Sequence, residues 1–299
     1  MHLGNSRNGS VDSLRLISAA GIVWFHAHAN GQILSYSALS VFIVFLIVLP
    51  LNSSRPVPLK TFVGGRLDRL LRPWLVWSLI YAGLKLAQAW STGSSVRTEF
   101  DSSMLLIGTQ AHLWFLPFGF ICSIAAFALL RRVSLHSSLA FAVAVLIAGV
   151  SLPVSAALLE GKLPSPLAEW IYAIPAVLFA CTIYLSNLRS GRLIALLAAL
   201  GVGFLATLQV SDTGANSLSL VLGVALSILA FQIKTPSTPL TKWMAMVSMP
   251  VYLMHPIFLS LGNRLIQADH NAIAALLAFV ASAALGALIV RFRFARWLF

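Results

Sequence analysis

Arg15 and His26 lie eleven positions apart in the first hydrophobic stretch, VDSLRLISAAGIVWFHAHANG. On a helix that separation is about 1100°, three turns plus roughly 20°, so both side chains leave the same face. The axial rise between them is about 16 Å, around half of a bilayer's hydrocarbon core. One helix therefore carries a guanidinium at one level and a titratable imidazole at another. The chemistry on offer is anion pairing at the first and proton exchange near neutral pH at the second. Ionisable groups inside membrane spans mark function by default. On its own residues, His26 can equally be a polar core histidine bonded to a neighbouring helix.

Three further clusters carry chemistry. Arg66, Arg69 and Arg72 recur every third residue in GGRLDRLLRPW. Such a ladder of guanidinium forks suits phosphate oxygens, although plain topological charge would also account for basicity here. HLWFLPFGF opens a later span with His112 placed to meet a substrate and Pro117 placed to kink the helix. Trp114 and Phe115 there also read as interfacial anchors. SMPVYLMHPIF puts Ser248, Tyr252 and His255 on one helical face by their four- and three-residue spacings. A second intramembrane histidine does not belong against lipid. Closer to the N-terminus, His28 is turned about 200° from His26 and reads as an ordinary surface residue. Asp12 can pair with Arg15 at i, i+3 or cap the helix start.

These residues need helices to hold them. The chain is 59% apolar and only 9% charged over 299 residues, with a mean hydropathy of +0.90. Soluble domains carry about 25% charged residues, so the surplus apolar surface requires lipid. We read an all-α, polytopic membrane protein with ten spans near 12–30, 33–51, 70–90, 112–131, 136–154, 166–186, 192–210, 216–233, 243–264 and 271–291. Pro, Gly, Ser and Asn mark most of the connections. A single membrane-embedded domain over 1–299, with no fused soluble domain, is expected, because no polar stretch is long enough for one. The N-terminal segment lacks the layout of a cleaved signal.

The net charge of +12 invites a nucleic-acid partner, but the basic residues are dealt out between hydrophobic segments. Sixteen Lys and Arg fall in alternate loops on one side, against Arg97, Lys162 and Arg264 on the other. The second side holds Glu99, Asp101, Glu160, Asp212 and Asp269. This asymmetry predicts that both termini are cytoplasmic and argues against nucleic-acid binding. Cys122 and Cys181 fall inside spans and read as small buried apolar residues.

The motifs together resemble acyltransferase family 3, the multipass membrane O-acyltransferases. That family has a basic residue, ten intervening residues and a histidine in helix 1, as in Arg15 to His26. It has an Arg-x-x-Arg motif at the start of helix 3, which Arg69 to Arg72 resembles, with Arg66 as a second register. The LWFLP and S-x-P-V-Y-L-x-H-P strings are also similar, so the resemblance runs from about 11 to 290. Many members carry an acid soon after the helix 4 tryptophan. Here Trp114 is followed by Phe115, Leu116, Pro117 and Phe118, as in a W-F-L-P branch linked to glycan acetylation, so no acid can be carried over.

The resemblance implies a bacterial inner-membrane enzyme that moves an acyl group from cytoplasmic acyl-CoA, acetyl-CoA being the expected donor, to a hydroxyl of a cell-surface or lipid-linked glycan. His26 and Arg15 would be catalytic. Arg66, Arg69 and Arg72 would hold the CoA phosphates. His112, Trp114, Tyr252 and His255 would hold the acceptor or a developing oxyanion. No metal is expected. Whether His26 acts as a base or is itself transiently acylated stays open. The rival reading is a transporter or exporter of a glycan or small solute, against which stand the lack of a repeat and of a mid-span carboxylate.

Overall fold

The computed structural model describes residues 7–52, 57–211, 214–265, 271–292 and 298–299, and every regular element among them is helical. α1 is Gly9–His26 and α2 is Gln32–Leu51. α3, Leu59–Arg66, continues through a π-helical turn, Leu67–Leu71, into α4, Arg72–Thr92. Two short helices, α5 (Val96–Glu99) and α6 (Met104–Ile107), lead to a 3-10 turn, Ala111–Trp114, that opens α7, Phe115–Leu130. Then come α8 (Ser138–Leu159), α9 (Leu167–Ser186), α10 (Ser190–Val210), α11 (Gly214–Gln232), α12 (Pro239–Leu265) and α13 (Asn271–Arg291).

Among the described residues, eight helical segments are long and apolar enough to cross a membrane: α2, the run Ala111–Leu130, and α8 to α13. Of the ten spans read from sequence, α1 and the α3–α4 rod fall outside this set. They are also the segments that carry Asp12, Arg15, His26 and the arginine ladder. Both boundaries of α1 shift toward the N-terminus. The Asn8 side chain accepts from the Ser10 amide at 3.1 Å and caps the helix, so Asp12 is not the cap but lies in the first turn. The helix ends at His26 because His28 and Gly31 take positive φ values of 54° and 86°.

α2 is the most buried of the eight segments and packs on α1, α7, α9 and α11. Close backbone approach holds it to α11: a Cβ at Gly223 would stand 2.2 Å from the Ser37 carbonyl oxygen. Small residues at such crossings are what helix packing inside lipid requires. The far side of the bundle shows Leu139, Leu146, Ile194 and Leu205, all large and exposed on α8 and α10. That surface is stable only against hydrocarbon. Cys122 and Cys181 are free thiols on α7 and α9. Of the charges counted for topology, Arg55, Asp212, Asp269, Arg293 and Arg296 lie outside the described residues.

Candidate active site

α1 presents Arg15 and His26 to two different cavities. Arg15 lines a cavity of about 700 Å³ whose other cationic lining residues are Arg66 and Arg69. The rest of that wall is mainly apolar, with Phe42, Phe45 and Leu46 from α2, Phe115 from α7 and Met249 from α12. Asp12 is buried and sits between two cations, 2.5 Å from Arg7 and 4.0 Å from Arg15. It leaves much of the Arg15 guanidinium free to face the cavity. Arg66 is 8% exposed and lies 5.0 Å over the Phe62 ring, a cation–π contact that stiffens it.

The arginine ladder is only partly preserved. Arg66 and Arg69 reach the cavity wall, whereas Arg72 is absent from it and pairs with Asp68 at 2.5 Å. The reason is rotational. Three residues on a helix fall about 60° short of a turn, so Arg72 points about 120° away from Arg66. The π-helical turn that separates them interrupts the regular register further.

His26 lines the second cavity, of about 490 Å³, with His112, Gln110, Ser260, Asn263 and Arg264. Three imidazoles meet at its floor. The His26 ring centroid is 5.2 Å from that of His255, in a near-parallel stack, and 6.5 Å from that of His112. His112 and His255 are 5.1 Å apart and nearly edge-on. His255 is fully buried and stands behind His26 rather than on the cavity wall.

Local sequence explains how these rings are held. Pro256 has no N–H, and Tyr252 is the residue four positions before it, so the Tyr252 carbonyl loses its helical donor. His255 Nδ1 donates to that oxygen at 2.7 Å. A carbonyl only accepts, so the proton of neutral His255 is on Nδ1 and Nε2 keeps its lone pair. That Nε2 is buried without a partner. The Tyr252 hydroxyl donates to the His112 carbonyl and ties α12 to the 3-10 turn. Tyr81 donates to the Leu253 carbonyl at 2.7 Å and packs edge-on against His112 at 5.6 Å. Neither His112 nitrogen makes a sound hydrogen bond. The 3-10 turn is in turn anchored on α4: Thr109 Oγ1 donates to the Ser78 carbonyl at 2.5 Å, and Gly108, at φ 83°, leaves no room for a Cβ beside Ser78 and Trp74. An unpaired buried polar group costs about 1–3 kcal/mol. The bare nitrogens of His112 and His255 are therefore primed to bind a proton donor or a polar ligand.

The residues singled out from sequence sort as follows. Arg15, Arg66 and Arg69 come together, and His26, His112 and His255 come together with Tyr252 beside them. Trp114 touches neither cavity and packs on Phe115 and Phe118, at 6.2 Å and 5.6 Å. Pro117 lies in the first turn of α7, where proline is tolerated without a kink. Sequence reading missed Tyr81, whose signal was a phenol in an apolar span, and missed Gln110, Ser260 and Asn263. Nothing in the sequence marked Phe42.

A family model described as an acyltransferase domain matches residues 8–291, from the cap of α1 to the last residue of α13. No curated protein and no solved structure matches the chain.

Proposed function

The chain belongs to this acyltransferase family and is a multi-pass membrane protein; from that premise we propose that it is an O-acyltransferase of the bacterial inner membrane, using acetyl-CoA from the cytoplasm and a hydroxyl of a cell-surface or lipid-linked glycan. One observation carries the reading: a single helix, α1, gives Arg15 to a basic cavity and His26 to a polar one.

The basic cavity has the chemistry of a polyanionic donor site. Arg15, Arg66 and Arg69 supply forked donors for phosphate oxygens, and the apolar wall beyond them suits a pantetheine arm. Cavities of this size and make-up are usual for small-molecule sites. The charge asymmetry of the loops supports placing this mouth toward the cytoplasm. The second cavity has the chemistry of an acceptor site, since Gln110, Ser260 and Asn263 offer amides and a hydroxyl to a sugar.

At the floor of the second cavity, His26 takes the proton of the sugar hydroxyl as its oxygen attacks the thioester carbon. The new carbon–oxygen bond forms, the carbon–sulfur bond breaks, and the proton passes from His26 to the leaving thiolate. His112 is placed beside the reacting atoms to donate to the developing oxyanion. His255, with its lone pair in the same cluster, favours positive charge on His26 while the proton is held there.

The test uses purified protein in nanodiscs, titrated with CoA and acetyl-CoA, and acyl transfer in membranes that contain the acceptor. Wild type is compared with His26→Ala and with the Arg66→Ala, Arg69→Ala pair. Binding that requires the arginines and transfer that requires His26 support the reading. No binding by any variant overturns it and favours a carrier.

A further inference from the structure

The two cavities share no lining residue, yet only a thin layer separates them. On α12, Ser248 and Met249 line the basic cavity while Pro256 and Leu259 line the histidine cavity. From Met249 to Pro256 is about 10 Å of helix. On the 3-10 turn and α7 the change is faster still. His112 lines one cavity and Phe115 the other, about 5 Å further along. Three rings from three elements fill the gap. Phe42 and Phe115 are 6.2 Å apart, Phe42 and Tyr252 are 6.1 Å apart, and Phe115 and Tyr252 are 5.8 Å apart. Tyr252 then touches His112 at 5.4 Å.

The three rings differ in freedom. Tyr252 is buried, lines neither cavity and is tethered through its hydroxyl to the His112 carbonyl. Phe42 and Phe115 border the basic cavity and have no polar tether, so they are the part of the layer able to yield. These two rings stand between an acyl group held by its donor in the basic cavity and the histidines. Interiors are close-packed, and each added methylene must find room or displace a neighbour.

We infer that Phe42 and Phe115 are the specificity-determining residues for acyl length, with Tyr252 as their fixed backstop, and that they restrict the transferred group to short, acetyl-sized chains. The inference rests on the acyltransferase reading above and adds to it the residues that set the size class of the donor. Nothing in it depends on the identity of the glycan.

The experiment uses inside-out membrane vesicles from cells that contain the acceptor and carry the full chain in place of their own copy. They receive radiolabelled acetyl-, butyryl- or octanoyl-CoA, and label is scored in the glycan fraction over a His26→Ala background. Wild type is expected to transfer acetyl at least about tenfold better than octanoyl, since pocket discrimination per methylene is modest and accumulates along a chain. Phe42→Ala and Phe115→Ala are expected to raise the octanoyl-to-acetyl ratio about tenfold or more. Phe42→Trp is expected to lower butyryl transfer relative to acetyl. Phe42→Leu and Phe115→Leu give the same reading, with a smaller shift, where an alanine variant fails to fold. An unchanged ratio in variants that still transfer acetyl overturns the inference alone, as does a wild type that uses octanoyl and acetyl equally. Wild-type vesicles that transfer no label from any of the three donors overturn the acyltransferase reading, and this inference with it.

Discussion

The two cavities are built by opposite means. The basic one is made of long side chains, Arg15 from α1 and Arg66 and Arg69 from the irregular stretch of α3 and its π-helical turn, over an apolar floor from α2, α7 and α12. The histidine one is made of short-range backbone chemistry: a proline that frees a carbonyl, an imidazole that takes it, and a tyrosine that ties two elements together. The first can tolerate adjustment, because guanidinium forks on flexible stems find phosphate oxygens over a range of positions. The second has less freedom, because its rings are fixed by neighbours. The two cavities are thus joined by a single helix, with Arg15 lining one and His26 the other.

Four variants break or sharpen that comparison. The largest effect is expected from His26→Ala. Acyl transfer should fall by about 10²- to 10⁴-fold, the usual contribution of a positioned acid–base group, while CoA binding measured by calorimetry stays near wild type. Equal loss of both would mean that the cavities do not divide the work. Next comes the Arg66→Ala, Arg69→Ala pair. Charge-assisted hydrogen bonds contribute about 1.5–3 kcal/mol each, so the dissociation constant for CoA should rise by about tenfold or more per arginine. The salt dependence of binding should flatten in parallel, and a wild-type salt slope in the double variant would count against phosphate recognition here.

A smaller effect is expected from Pro256→Ala. The restored amide competes with His255 Nδ1 for the Tyr252 carbonyl, so the tautomer and orientation of His255 are no longer fixed. Acyl transfer should drop about tenfold with CoA binding unchanged, and an unaltered rate would show that the proline serves only helix shape. The smallest effect belongs to Arg72→Ala. Its partner is Asp68 on an exposed face, and exposed pairs contribute little. Binding and transfer should each change by less than about twofold. A large loss of CoA affinity would put Arg72 back among the donor-binding residues.

Particular residues show what was legible before the fold was known. Helix periodicity alone put Arg15 and His26 on one face, and the structure has each of them lining a cavity. Hydropathy gave eight segments their class, but several helix ends were misplaced: capping and positive-φ residues moved those of α1, at Asn8 and His28, while α8 runs through Pro153 to Leu159 and α12 begins at Pro239 rather than 243. The arginine ladder was half legible. Spacing by three reads as a stripe in one dimension, but each step falls about 60° short of a turn, and only Arg66 and Arg69 reach the cavity. Trp114 was singled out by its motif and lies in packing instead.

By itself, then, the sequence determined that this is a helical membrane protein, which helices carry unusual polar groups, and where along α1 those groups sit. These are properties of composition and of a fixed rise and rotation per residue. Only the tertiary structure decided that His112 and His255, 143 positions apart in the chain, meet His26, that Tyr81 supports them, and that Phe42 stands between two cavities. Such contacts depend on which helices pack together and at what rotation, and an apolar residue such as Phe42 has the same periodicity whether it faces lipid, core or a passage for substrate.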